Sequence, residues 1–153
     1  MYERALVPID RSELSREPLV EVARLGIPSV VLLSVVESVS EEMVEQTGIA
    51  AEVPRDVAVK ILEAATARAR RRLQAAEQEL RERGWNGSAA WVTRHGKPGQ
   101  AIVAVAEEMS CDVILMGTQG GRRLTRALRR SVADYVIAHS PSRRELLVRP
   151  GES

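Results

Sequence analysis

The chain has very few cysteine, histidine and aromatic residues. Its 153 residues include one cysteine, two histidines and no phenylalanine, and aromatics make up only 3%. The lone Cys111 excludes an internal disulfide, and with two histidines it cannot build a Cys/His zinc cluster of a recognised spacing. The N-terminal stretch carries charges where a signal peptide needs apolar residues. The sequence therefore predicts a cytoplasmic protein without a structural metal.

Long apolar runs are also missing, and the net charge is only +1. There is no run of about 18 apolar residues, so no membrane span is expected. The chain has 22 Lys+Arg against 21 Asp+Glu, whereas a nucleic-acid-binding domain is usually basic overall. The side chains able to stack on bases are few: Tyr2, Trp85, Trp91 and Tyr135. Neither a membrane nor a nucleic acid is expected as a partner.

The length and the 44% hydrophobic content suit one domain. A folded chain of this size hides roughly 70% of the surface that its unfolded form exposes, so the core needs no metal or disulfide to stabilise it. We find no internal repeat and no linker. The prediction is a single domain over residues 1–150, followed by a tail over residues 151–153.

Short apolar runs alternate with longer helical patterns along the chain. The runs lie at residues 5–9, 30–36, 88–93, 112–116 and 146–148, and helical patterns occupy most of the intervals between them. The longest, from about Arg55 to Arg83, ends at Gly84 and offers the i, i+4 ion pairs Glu77/Arg81 and Glu79/Arg83. This alternation predicts an α/β fold: one doubly wound, Rossmann-like domain with a five-stranded parallel sheet in the order 3-2-1-4-5 and helices on both faces.

In such a sheet, ligands bind beyond the carboxyl ends of the strands, where the strand order reverses. The first strand ends at Asp10, and the fourth runs directly into the glycine-rich loop 117–121, before a helix headed by Ser131. Glycines and the amides at a helix start suit a phosphate, although the same glycines also suit an ordinary turn. Asp10 could accept hydrogen bonds from a ribose or a base, cap the first helix, or do both. Neither a GxGxxG nor a GxxxxGK[ST] motif occurs.

Arginines are concentrated in two segments. Five lie between Gly117 and Ser131, where no acid occurs, and they suit a polyanion as well as a solvated face. The simpler interpretation is the solvated face, since arginine supplies 20 of the 22 cations. The same interpretation applies more strongly to the long-helix residues Arg68, Arg70, Arg71 and Arg72.

No arrangement in the sequence predicts catalysis. Cys111 precedes a buried strand and is interpreted as a core residue. His95 and His139 lie near no serine or cysteine that would complete a nucleophilic site, and no pair of carboxylates stands out from the background of the sequence. We therefore expect that the protein is not an enzyme. The catalytic alternative is an ATP-consuming ligase or hydrolase.

The sequence resembles the universal stress protein family over nearly the whole chain. The resemblance rests on the segments 7–15 (VPIDRSELS), 32–36 (LLSVV), 96–98 (GKP), 112–120 (DVILMGTQG) and 131–136 (SVADYV). It implies a five-stranded, doubly wound domain that forms a homodimer through its last strand, here Leu146, Leu147 and Val148. It also implies one of two branches, since some members bind an adenine nucleotide and others do not.

The nucleotide-binding members carry GxxG, nine residues, and then Gly-Ser or Gly-Thr. Gly117 and Gly120 match, but the closing pair is Arg130-Ser131, so an arginine replaces a glycine. That arginine would either obstruct a triphosphate or pair with a phosphate itself. By resemblance, the nucleotide-binding residues would be Pro8, Ile9 and Asp10 around the base and ribose, Val35 against the adenine, Met116, Gly117, Gln119 and Gly120 near the ribose and phosphates, and Arg130, Ser131, Val132 and Ala133 at the helix start.

The resemblance implies a protein that binds ATP or a related adenine nucleotide, with or without Mg²⁺, as a regulatory ligand in a stress response. The alternative from the same family is a nucleotide-free homodimeric interaction module. In that case Arg130 closes the pocket and the dimer surface recruits a protein partner.

Overall fold

The computed structural model describes residues 2–10, 16–37, 53–117, 132–140 and 144–148. The described residues form five strands and four helices. The fourth helix, α4, covers residues 132–139 and precedes the last strand. In chain order the elements are β1 (Arg4–Pro8), α1 (Arg16–Leu25), β2 (Ser29–Val36), α2 (Arg55–Glu82), β3 (Ser88–His95), α3 (Pro98–Glu108), β4 (Val113–Gly117), α4 and β5 (Arg144–Val148).

The strands form one parallel sheet in the order β3-β2-β1-β4-β5. The predicted α/β class and the order 3-2-1-4 are confirmed. The backbone of β5 lies beside β4, in register from Val113↔Arg144 to Gly117↔Val148. Because all strands are parallel, their carboxyl ends lie at the same end of the sheet. The strand order reverses between β1 and β4.

Helices cover both faces of the sheet, as predicted. Successive side chains of a strand point to opposite faces, so each strand contributes to two cores. On the face of α1 and α2, a cluster joins Leu19, Val22, Leu73, Ala76 and Leu80 to Ala5, Val7, Val30, Leu32, Val113 and Leu115. On the face of α3 and α4, a cluster joins Ile102, Val105, Ala106, Ala133 and Val136 to Leu6, Val31, Leu33, Ile114 and Met116. Burial of each large aliphatic side chain contributes roughly 1.5–3 kcal/mol.

The long helix α2 follows its sequence pattern, with one exception. Its buried stripe is Ala65, Ala69, Leu73, Ala76 and Leu80, and it ends just before Gly84, whose φ of +84° favours glycine. The ion pairs Glu77–Arg81 (3.4 Å) and Glu79–Arg83 (3.7 Å) are confirmed.

The assignment of Arg68 and Arg72 to a solvated face is wrong. Both side chains are half-buried, and Nη2 of Arg72 donates to the buried Oγ of Ser34 on β2 (3.5 Å). Arg72 lies one position before Leu73, at the border of the buried stripe, so its aliphatic stem packs against the sheet. Arg70 and Arg71 are exposed, as expected.

The third strand is longer than predicted. It continues to His95 rather than ending at Thr93, since its pairing with β2 extends to Val36↔His95. Cys111 is fully buried, which confirms its interpretation as a core residue. In the described part of the chain, no helix combines the length and apolar character that crossing a bilayer requires.

The amino end of the sheet is held by hydrogen bonds between distant residues. The carboxylate of Asp112 accepts the backbone N–H groups of Glu3 (2.8 Å) and Arg4 (2.9 Å). The Arg4 guanidinium donates to the carbonyl of Met109 (2.6 Å) and to Oγ of Ser29 (3.2 Å). Partial burial opposes ionisation of Asp112, but the backbone hydrogen bonds outweigh it, so the pKa of Asp112 is lowered.

A tryptophan packs at the same end of the sheet, next to the start of β2. Trp85 is 6% exposed, and its indole Nε1–H donates to the carbonyl of Ile27 (2.7 Å). The guanidinium of Arg81 lies over the Trp85 ring, 4.8 Å from the centroid. Burial, a satisfied indole and a cation–π contact make Trp85 an anchor of this end.

Candidate functional site

The ladder between strands β1 and β4 ends before their carboxyl ends. They pair only at Ala5↔Val113 and Leu6↔Ile114, whereas β1 pairs with β2 along its whole length. The ladder between β1 and β2 even continues past the strand, because the N–H of Ile9 donates to the carbonyl of Leu33 (2.7 Å). Pro8, which precedes Ile9, has no N–H to donate to β4. We call the space beyond the carboxyl ends of β1 and β4 the crevice. This is the position where the strand order reverses and where doubly wound sheets bind ligands.

The ends of these two strands carry four of the predicted site residues. Pro8 is half-buried and Asp10 exposed at the end of β1, while Met116 and Gly117 are buried at the end of β4. The exposed Asp10 carboxylate can accept hydrogen bonds from hydroxyl or amino groups. The absence of a Cβ on Gly117 lets a ligand approach the backbone closely.

An apolar floor joins predicted residues from three elements. Val35 of β2 and Val132 of α4 are half-buried against the cluster that contains Met116 and Ala133. All four side chains therefore belong to the core on the side of α3 and α4. An apolar floor next to a carboxylate suits a flat, partly apolar ligand with hydroxyl or amino groups at its rim.

Ile9 lies at the crevice but points away from this floor. Its side chain is 6% exposed and belongs to the cluster on the side of α1 and α2. The Ile9 side chain therefore does not contribute to the floor. The remaining predicted residues, Gln119, Gly120, Arg130 and Ser131, lie outside the described residues.

One polar contact near the carboxyl end of the sheet was not predicted from the sequence. Ser34 precedes Val35 on β2 and is completely buried, with its Oγ facing Arg72 of α2. Ser34 shares the face of Val30 and Leu32 and so lies on the opposite face of the sheet from Val35. The sequence signal for this contact was the position of Arg72 directly before Leu73. A residue next to the buried stripe of a helix lies at the border of the buried face.

The titratable groups of the described chain do not form a metal centre. No group of three or more His, Cys, Asp or Glu side chains that could hold a metal occurs in that part of the chain. His95 approaches Oγ1 of Thr66 (3.5 Å), and His139 contacts the Tyr135 carbonyl through Nδ1 (2.8 Å) while stacking on its ring (3.9 Å). The arrangement at the crevice is suited to binding.

Comparisons with known proteins agree with this architecture. The sequence profile of the universal stress protein family matches residues 1–143. Universal stress protein Sll1388 of Synechocystis sp. is 29% identical over 144 residues, which cover 90% of this chain and 92% of that protein. The solved structure of hypothetical protein MJ0577, the subject of a structure-based assignment of biochemical function, has a TM-score of 0.76 at 27% identity, covering 100% and 99% of the two chains.

Two similar structures contain nucleotides. A universal stress protein in complex with cAMP has a TM-score of 0.65 at 21% identity, covering 96% of this chain and 97% of that one. The universal stress protein from Archaeoglobus fulgidus in complex with dAMP has a TM-score of 0.56 at 22% identity, covering 96% and 98%. At these identities the likeness shows a shared fold.

Proposed function

The chain belongs to the universal stress protein family, and from that premise we propose that it binds ATP or a related adenine nucleotide as a regulatory ligand in a stress response. The observation that carries the proposal is the end of the β1–β4 ladder at Leu6 and Ile114, where the strand order reverses, with Asp10 directly beyond β1. The complexes of related folds with cAMP and dAMP support the class of ligand.

The residues have distinct proposed roles. Asp10 accepts a hydrogen bond from the ribose or from the base amine, and the floor of Val35 and Met116 contacts the base, with Pro8 and Ile9 beside it. Gly117 allows the sugar and phosphates to approach the backbone. At the phosphate end, the proposed contacts come from Gln119, Gly120, Arg130, Ser131, Val132 and Ala133.

Magnesium fits this site only through the nucleotide. Among the described residues, no group of three or more His, Cys, Asp or Glu side chains could hold a metal ion, whereas a protein-built site would need several oxygen ligands. Mg²⁺ commonly keeps several waters and binds substrate phosphates. Any magnesium would therefore arrive with the nucleotide and neutralise its phosphates.

A second candidate is the nucleotide-free interaction module. It is favoured by Arg130, which stands where the nucleotide-binding members have glycine. In this case the arginine fills the phosphate end, and the homodimer recruits a protein partner through its surface. Catalysis is not part of either proposal.

Calorimetric titration of the purified full chain distinguishes the two. We expect saturable heat with ATP, AMP or cAMP, each measured with and without Mg²⁺, and nucleotide released from the protein as purified by heat denaturation. Absence of heat at millimolar nucleotide and of released nucleotide would contradict the first proposal. Tight binding gained only by Arg130→Gly would identify the arginine as the obstacle and support the second.

The proposed assembly is a homodimer through β5. The backbone of β5 occupies one edge of the sheet, and pairing of Leu146, Leu147 and Val148 across a two-fold axis would remove that edge. A single domain over residues 1–150 and a cytoplasmic location complete the proposal. Removing residues 151–153 is expected to leave the nucleotide affinity and the oligomeric state unchanged.

A further inference from the structure

Helix α2 carries a groove beside the edge strand β3, separate from the crevice. The groove encloses about 470 Å³ and is lined by Val59, Leu62, Glu63, Thr66, Ala67, Arg70 and His95. We call this surface the α2 groove. Six of its seven residues come from α2 at helical spacing, so they form one continuous face.

This face differs from the stripe that packs on the sheet. The buried stripe begins with Ala65 and Ala69, whereas Val59 of the groove is 48% exposed. Large exposed hydrophobic side chains in the described part of the chain are Val57, Val59, Trp91 and Ile137. Three of these four lie on α2 or on β3 beside it, so exposed apolar surface is concentrated on this side of the molecule.

Two charged side chains of opposite sign, Glu63 and Arg70, line the groove. Glu63 and Arg70 are both exposed and lie seven residues, or about 10 Å, apart along the helix. Ion pairs within the described part of α2 use Glu77, Arg81 and other residues, and involve neither Glu63 nor Arg70. Small side chains, Thr66 and Ala67, separate the two charges.

We propose that the α2 groove is an interface with a second copy of this chain, in which the two α2 helices pack antiparallel. A two-fold axis between Thr66 and Ala67 brings Glu63 opposite the partner's Arg70, and Arg70 opposite the partner's Glu63. The small central residues let the helices approach closely, and Val59 and Leu62 supply apolar area. A second copy is the occupant that the charges favour, since a two-fold contact requires one surface to be complementary to itself.

The interface would be weak and independent of the nucleotide. One helix pair buries less than the roughly 800 Å² per partner of a standard interface, so the association depends on concentration. The groove lies beside β3, at the opposite edge of the sheet from β5. Both contacts can therefore form at once, and together they would give an assembly larger than a dimer.

Sedimentation velocity of the full chain over a range of concentrations tests the proposal. We expect the mean mass of the wild type to rise with concentration. Arg70→Glu and Glu63→Arg should each weaken this step about tenfold or more, because each creates two like-charge contacts across the axis. The double exchange Glu63→Arg with Arg70→Glu should restore the wild-type dependence, since the opposite charges again face each other.

Arg71→Glu is the matched control, because it makes the same charge change at an exposed α2 position outside the groove. It should leave the concentration dependence unchanged. A mass independent of concentration in the wild type, an equal effect of Arg71→Glu, or a folded double exchange without restored association would each overturn the proposal. Circular dichroism verifies folding, and the milder Arg70→Gln, expected to weaken association less, replaces any variant that unfolds.

Discussion

The two ends of the parallel sheet use their polar groups in different ways. At the amino end, the Asp112 carboxylate accepts two backbone N–H groups, the Arg4 guanidinium donates to Met109 and Ser29, and Trp85 packs next to the start of β2. At the carboxyl end, β1 and β4 lose their pairing after Leu6 and Ile114. The comparison indicates that stabilising contacts are concentrated at the amino end, while the proposed ligand site lies at the carboxyl end.

The difference has a physical origin in β1. This strand is paired with β2 from Arg4 to Pro8, and the N–H of Ile9 extends that ladder. The preceding Pro8 directs its backbone toward β4 but has no N–H to donate. Pairing with β4 is therefore retained only near the amino end, where the Asp112 carboxylate also accepts the N–H groups of Glu3 and Arg4. Variants at the two ends should therefore separate stability from binding.

The largest effect is expected from Trp85→Ala at the amino end. Loss of a buried indole, its hydrogen bond and the Arg81 contact should lower the free energy of unfolding by about 3–5 kcal/mol, measured by urea denaturation. Trp91→Ala is the control, since Trp91 is 44% exposed and donates to Glu77 at the surface. Equal losses for the two tryptophans would contradict the role given to the amino end.

A smaller loss of about 1–3 kcal/mol is expected for Asp112→Ala, because the N–H groups of Glu3 and Arg4 lose their acceptor. The lowered pKa of Asp112 sets the sign of its pH dependence. Its contribution to stability is present above about pH 4 and is lost as the pH falls through the lowered folded pKa. Denaturation midpoints of the wild type and Asp112→Asn should converge in acid. A constant difference down to the lowest pH would contradict this.

At the carboxyl end, Asp10→Asn is expected to weaken nucleotide binding about tenfold, through loss of a charged acceptor. Its free energy of unfolding should fall by less than that of Asp112→Ala, because the Asp10 side chain is exposed. Glu107→Gln removes the same charge at an exposed site near the amino end and should change neither quantity. Calorimetry with denaturation measures both, and a loss of stability without a loss of affinity would reverse the assignment.

The smallest effect is expected at the surface between the edge strand and α3. Arg94 and Glu108 form an ion pair of 2.7 Å with both side chains about half exposed. Arg94→Gln should therefore change stability by less than about 1 kcal/mol, and the change should shrink in high salt. A loss as large as that of Asp112→Ala would show that stability is not concentrated at the amino end.

Much of the fold follows from local patterns in the sequence. Apolar runs predicted the strands, and Gly26 and Gly84 marked the ends of two helices because their positive φ favours glycine. The strand order 3-2-1-4 is the order typical of doubly wound sheets, so it followed from the alternation of strands and helices.

The features that sequence reasoning missed depend on distant partners. Asp112 binds residues 108 and 109 positions away, and nothing near it in sequence signals that contact. Arg72 carries a charge, which favours an exposed position, but its place beside Leu73 turns it toward Ser34. At the candidate site, local patterns identified the strand ends, whereas the face toward which Ile9 points emerged only from packing.

The division between the two ends is tested most directly by nuclear magnetic resonance of the labelled full chain during titration with ATP. The amide signals of Asp10, Val35, Met116 and Gly117 should shift as nucleotide is added, whereas the signals of Arg4 and Asp112 and the indole N–H of Trp85 should stay in place. Shifts confined to the amino end, or no shifts at millimolar ATP, would contradict the account.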